Sequence, residues 1–179
     1  VTTELTGFYS HVYDWIIWLP TSSSIWSPTN LREVENRGIE YGLKVKTSLN
    51  KFKISLNGNY AYTLSTNRKA KNDIDNSVNK QLIYVPYHQF NINTGIAYQK
   101  WLLNYNYTYT GKRYISTDNL WYMPANYQSN LSLSKTLKAG HKTQLNAIFK
   151  VNNLFNQEYQ AIAWRAMPRR NYLFTLSLQ

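Results

Sequence analysis

Four aromatic side chains in polar stretches, Trp26, Trp121, Tyr122 and Trp164, and the basic residues Arg165, Arg169 and Arg170 are the groups in this sequence best suited to holding a ligand. Indole and phenol rings stack on flat molecules, and nearby guanidinium groups pair with carboxylates or phosphates, so the set fits a large planar or ring-containing ligand. The same aromatics also fit a plainer role. Tyr and Trp join an apolar body to a polar tip and anchor well where apolar and aqueous surroundings meet. Catalytic chemistry finds little support. His11, His88 and His141 are far apart with no metal-ligand spacing between them, and Asp73 with Asp75 sits in a Lys-rich stretch that suits solvation better than calcium. Cysteine is absent, which excludes disulfides, thiol catalysis and Cys-based metal sites. There is no GxSxG, P-loop or GxGxxG pattern. We expect no enzyme activity, no resident metal and no cofactor.

The elements that must position these residues are strands. In Gln144 to Asn152, Leu145, Ala147, Phe149 and Val151 alternate with Asn146, Ile148, Lys150 and Asn152, the two-residue period of a strand with unlike faces. The closing run repeats it, with Tyr172, Phe174, Leu176 and Leu178 against Leu173, Thr175 and Ser177. Earlier strand segments are Gly7 to Pro20, Asn30 to Asn50, Phe52 to Leu64, Gln81 to Gln99, Trp101 to Ser116 and Tyr127 to Leu137, giving about eight antiparallel strands and no competing helical period. The face of the first strand is ambiguous, because Tyr13, Trp15 and Ile17 compete with Val12, Ile16 and Trp18. Ser65 to Gln81 has no period and reads as an exposed loop.

The order of the connections is informative. Short turns near 50, 100 and 140 alternate with longer polar loops near 20–30, 65–82, 116–125 and 156–168. Transmembrane β-barrels follow this rule, with short turns on the periplasmic side and long loops outside. The 16 Tyr and 6 Trp suit the aromatic girdles of such a barrel, and a mean hydropathy of −0.51 does not oppose it, because the lumen-facing half of each strand is polar. A net charge of +11 invites a nucleic-acid reading, but the basic residues are scattered and no RNP, KH or zinc pattern is present, so we expect no nucleic-acid partner.

The C-terminal segment also carries a resemblance. Asn153, Leu154, Phe155 and Tyr159, followed by Pro168, Arg170, Asn171 and Tyr172, resemble the C-terminal signature of TonB-dependent outer-membrane receptors. Arg169 stands where that signature has Gly, and Gln179 where many outer-membrane barrels end in an aromatic. A second stretch, with Tyr13, Asp14, Ile16, Asn30, Gly38 and Glu40, is similar to the vitamin B12 and siderophore branch of the family. The resemblance implies that residues 1–179 are the C-terminal portion of a larger barrel, without its plug domain and N-terminal strands, in the outer membrane of a Gram-negative bacterium. It further implies import of a scarce small-molecule ligand, cobalamin or an iron-siderophore, driven by the TonB complex through the missing N-terminal part. The other expected partners are membrane lipid and lipopolysaccharide, whose phosphates suit Lys112, Arg113 and the arginines above. The competing reading is a complete eight-stranded barrel with a structural, adhesive or lipid-modifying role.

In either barrel Phe90, Ile92, Ile96, Leu131, Leu133, Leu137, Phe149, Val151, Phe174, Leu176 and Leu178 should face lipid. Asn91, Asn93, Asn130, Ser132, Ser134, Asn146, Lys150, Thr175 and Ser177 should face the lumen. The aromatics Trp26, Trp121, Tyr122 and Trp164 with Arg165 then fall in or beside outer loops, either as a ligand surface at the barrel mouth or as interface anchors.

Overall fold

A computed structural model describes residues 1–20, 25–70, 72–138 and 143–178. Its strands are β1 (Thr2–Pro20), β2 (Trp26–Leu49), β3 (Phe52–Asn67), β4 (His88–Tyr98), β5 (Trp101–Thr110), β6 (Arg113–Tyr114), β7 (Tyr122–Met123), β8 (Asn126–Lys138), β9 (Gln144–Asn152) and β10 (Asn171–Leu178). Eight of them form one antiparallel sheet in the order β1-β2-β3-β4-β5-β8-β9-β10, while β6 and β7 make a small separate hairpin. Every neighbour in the large sheet is also the next long strand in sequence. β1 and β10 are its two edges and do not pair with each other, so the eight strands form an open wall and not the closed eight-stranded barrel.

Residues directly opposite in an antiparallel ladder share a face. One row therefore runs Ile54, Ile96, Leu103, Leu133, Phe149 and Phe174 across β3, β4, β5, β8, β9 and β10. The opposite face carries Asn57, Asn93, Asn106 and Asn130 in a row of its own. All the residues expected toward lipid fall on the first face and all those expected toward the lumen on the second. The pairing also settles the first strand: its odd positions, Leu5 and Tyr9 among them, join the apolar face through Tyr41 and Arg37.

The apolar face is banded. At the short-turn end Phe52, Tyr98 and Trp101 lie side by side, with the Phe52 and Tyr98 rings 4.8 Å apart. Leu, Ile and Val side chains fill the middle. At the loop end a second aromatic row forms, in which Phe90 stacks on Tyr109 at 5.0 Å, Tyr107 on Tyr127 at 6.1 Å and Phe149 on Tyr172 at 6.2 Å. Above that row on β2 the same face turns charged. His11 meets Glu33 at 3.5 Å, Lys69 meets Glu33 at 3.3 Å and Arg68 meets Glu35 at 3.5 Å. The stretch Ile39 to Leu49 is thus the apolar part of β2, of the length a tilted strand needs to cross a bilayer, and the rest of this 24-residue strand stands beyond it.

Phe8 and Gly38 face each other on β1 and β2. The Phe8 ring lies over the glycine so closely that a Cβ there would come within 2.6 Å of it and 2.2 Å of the Tyr62 carbonyl oxygen. Only glycine allows this approach. The two described hairpin turns open on Asn50 (φ 53°) and Gln99 (φ 52°), in the left-handed region that Asn tolerates better than most residues.

Several boundaries differ from expectation. β1 and β2 run longer than Gly7 to Pro20 and Asn30 to Asn50, because backbone pairing continues past the apolar band. β4 begins at His88 and not at Gln81, since Tyr84 has φ 61° and Pro86 lacks an N–H for a ladder. β5 ends at Thr110, and Arg113–Tyr114 pairs with Tyr122–Met123 inside what reads as a plain loop. β10 begins at Asn171, and Pro168 precedes the strand. The expected turn at Ala139, Gly140 and His141, the loop at Thr21 to Ser24, and the terminal Gln179 lie outside the described residues.

Candidate functional site: the loop cap

At the loop end three connections fold together over the polar face. The β3–β4 loop packs Leu82 and Val85 against Val34, whose side chain is completely buried on that face. Ser65 to Gln81 is therefore not a freely exposed loop. Its first residues extend β3, and Asn67, Ser77 and Gln81 are buried.

Gln81 is the centre of this connection. Its side-chain oxygen accepts the Ser65 N–H at 2.9 Å, and its amide donates to the carbonyls of Thr63 at 3.2 Å and Val85 at 3.3 Å. Its backbone exchanges two hydrogen bonds with the side chain of Asn119 in the β7-side loop, both at 2.9 Å. A buried amide with this many partners is fixed in place, because losing any one leaves a polar group without water.

Arg113 makes the second link. Its guanidinium donates to the Gln160 carbonyl at 2.9 Å and the Ala161 carbonyl at 3.1 Å, joining the β6–β7 hairpin to the β9–β10 loop. Only 8% of it is exposed, its Nε has no partner, and burial pulls its pKa below the usual arginine range. It is therefore unavailable to lipopolysaccharide phosphates, contrary to the expectation from sequence. Tyr84 closes the triangle, with its backbone N–H donating to Tyr114 at 2.8 Å and its hydroxyl accepting the Ala163 N–H at 3.4 Å.

Asn153, in the segment that resembles a family signature, makes the third link. It sits at φ 52° and is buried. Its backbone N–H donates to Asn130 Oδ1 at 3.0 Å, its Oδ1 accepts the Gln157 N–H at 2.8 Å, and its amide donates to the Gln157 carbonyl at 2.8 Å and to Pro168 at 3.5 Å. Leu154 N–H reaches the Ser129 carbonyl at 2.7 Å, and Asn156 Oδ1 accepts the Arg170 N–H at 3.1 Å. Asn152 then donates to Asn171 at 2.8 Å across the first pair of β9 and β10. Tyr159 accepts the Met167 N–H through its carbonyl, and Phe155 is exposed. The two halves of the signature are thus hydrogen-bonded to one another.

A cleft of about 440 Å³ opens between the β7–β8 connection and the β9–β10 loop, lined by Met123, Asn126, Glu158, Tyr159, Met167 and Arg169 among others. Glu158 and Arg169 form an ion pair at its edge. Of the ligand candidates, Trp121 and Tyr122 lie on the hairpin that precedes this cleft, and Trp164 and Arg165 on the loop that forms its other side. Trp121 and Trp164 are 70% and 84% exposed, so neither indole ring is used to hold the cap, although their backbones hydrogen-bond within it. Lys112 lies 5.0 Å over the Tyr122 ring. Trp26 stands apart at the start of β2, 5.9 Å from Tyr84. The two described histidines do not converge: His11 meets Glu33, and His88 Nδ1 meets the Tyr60 hydroxyl at 2.9 Å on the apolar face, while His141 lies outside the described residues. Among the described residues no three His, Cys, Asp or Glu side chains gather to hold a metal.

A family described as TonB dependent receptor-like, beta-barrel, matches residues 1–154. The chain belongs to this TonB-dependent receptor family. Its relatives are outer-membrane proteins of Gram-negative bacteria, which makes the banded apolar face the lipid face, the asparagine-rich face the lumen wall and the loop cap the extracellular end. Solved structures agree on the fold. BauA, the ferric preacinetobactin receptor from Acinetobacter baumannii, superposes with a TM-score of 0.75 at 18% identity, covering 98% of this chain and 27% of its own. The ferripyoverdine receptor of Pseudomonas aeruginosa gives 0.66 at 16%, covering 97% and 24%. The copper transporter OprC gives 0.68 at 16%, covering 98% and 28%. The chain thus spans about a quarter of the length of these receptors. No curated protein sequence matches it.

Proposed function

We propose that the intact protein is an importer that captures a scarce metal chelate at the loop cap and passes it through the lumen, and that residues 1–179 are the C-terminal portion of its barrel wall. The observation that carries this reading is a wall with a lipid-facing band on one side, an asparagine-lined lumen on the other and a hydrogen-bonded cap across the outer end. Receptors of similar fold are named for ferric preacinetobactin, ferripyoverdine and copper, which favours a metal chelate over cobalamin, the second candidate of the same class. Energy would come from the TonB complex, engaged through a segment outside these residues. In this reading Trp121, Tyr122, Trp164 and Arg165 form the ligand surface beside the 440 Å³ cleft, with Trp26 at the periphery. Lys112, Arg165 and Arg170 remain free to meet lipopolysaccharide phosphates.

The test is growth of a deletion strain on chelated iron, on copper at limiting concentration and on cobalamin. Loss of growth on one of them, restored by the wild-type gene and restored poorly by a Trp121→Ala/Trp164→Ala variant that still folds, is the expected result. Normal growth on every ligand would leave the adhesive or structural barrel as the better reading.

A further inference from the structure

We propose that the short-turn rim of this wall binds anionic phospholipid headgroups of the periplasmic leaflet. The charge of the chain is segregated by end. From residue 44 to 57, from 93 to 106 and from 132 to 150, the stretches that flank the three short connections, there is no Asp or Glu at all, whereas each holds at least one lysine. Among the described residues every ion pair lies at the loop end. Among the described residues the rim lysines therefore have no carboxylate partner.

Their placement selects lipid as the occupant. Lys51 and Lys100 are the second residues of the two described hairpin turns, and both are exposed; Lys138, at the end of β8, has the lumen phase and is left out. Lys135 points to the lipid face, where its ammonium lies 4.4 Å over the Trp101 ring. Trp101 belongs to the row with Tyr98 and Phe52, and such a row marks the depth at which acyl chains give way to headgroups. The turn lysines project beyond that row, at headgroup level, on flexible stems that reach phosphate. Lys46 and Lys53 fall on the lumen face and meet water or protein instead, so they are not part of this surface. Unpaired ammonium groups just past an aromatic girdle attract a negatively charged leaflet, and salt screens the attraction.

The experiment uses the intact receptor in phosphatidylcholine vesicles carrying a trace of spin-labelled phosphatidylglycerol or phosphatidylcholine, and reads the relative association of the two labelled lipids with the protein. Wild type should prefer phosphatidylglycerol roughly two- to fivefold, and the preference should shrink as salt is raised. A Lys51→Gln/Lys100→Gln variant, checked for folding by heat-modifiable gel migration, should bring the ratio close to one. A loop-end variant, Lys69→Gln/Lys80→Gln, should leave it unchanged. The proposal is overturned by a wild-type ratio of one, by a salt-insensitive preference, or by a preference that survives the rim variant and disappears in the loop-end variant. Should the double variant fail to fold, Lys100→Gln alone must still lower the ratio.

Discussion

The wall and the cap of this receptor segment distribute polarity in opposite ways. In the wall the large apolar side chains point outward and are exposed, Leu133 at 41% and Phe174 at 62%, while the strands are held by their backbone ladders. In the cap the most deeply buried side chains include Gln81 and Asn67, each 2% exposed, and a charged arginine. Lipid accepts the apolar surface of the wall, so hydrophobic burial is not what shapes it. The cap meets water, which would draw its polar loops apart, and it is closed by side-chain amides that satisfy several carbonyls at once. One region tolerates almost any apolar residue in the right phase. The other depends on a few irreplaceable polar ones.

The sharpest break of this contrast is a charge on each face of β8. Leu133→Arg faces lipid and should cost roughly 2 to 4 kcal/mol of folding stability, whereas Ser132→Arg faces the lumen and should cost much less. Folding of the intact receptor into liposomes, followed by heat-modifiable gel migration, measures both. Equal losses would mean that the two faces do not differ as the pairing says. Next in size are the cap residues. Arg113→Met and Gln81→Leu each strand buried carbonyls, at about 1 to 3 kcal/mol. The effect should be local, with faster amide exchange in residues 111–125 and 154–167 for Arg113→Met and unchanged protection in β4, β5 and β8. Loss of protection throughout the wall would show that the cap and wall are one cooperative unit.

The smallest effect concerns Asp118, whose carboxylate accepts from the Ser116 hydroxyl and the Leu120 N–H. These bonds hold its pKa below the ordinary value, first through Ser116. A carboxyl with a lowered folded pKa stabilises above its unfolded value of about 3.9 and loses that contribution as pH falls through the folded one. Exchange in the β6–β7 hairpin should therefore quicken only at acid pH below about 4, and Asp118→Asn should remove the dependence.

The wall was legible in the sequence because its signal is a period. Ile92, Leu133 and Phe174 announce a face by alternation alone, and the register agrees with that phase in every pair. The strand ends were less legible. β2 continues past Ile39 with charged residues on the lipid-phase positions, so the hydrophobic pattern stops where the membrane stops and not where the strand stops. The cap was hardly legible at all. Gln81, Arg113 and Asn119 have the composition of any solvated loop, and what distinguishes them is a partner some 40 residues away. Asn153 was singled out only through the resemblance of its segment to a family signature. Its left-handed backbone and four hydrogen bonds are what Asn supplies at that place in this chain.

The glycine beneath Phe8 answers a question that alternation leaves open. Alternation fixes parity: a slip of one residue between β1 and β2 would turn every side chain to the wrong face. A slip of two preserves parity and would pass that check. In the native pairing the ring covers a residue with no Cβ, whereas a two-residue slip would set it against Glu40 or Asn36. The contact thus distinguishes registers that the lipid cannot, and it acts as a phase mark for the first hairpin as the strands come together.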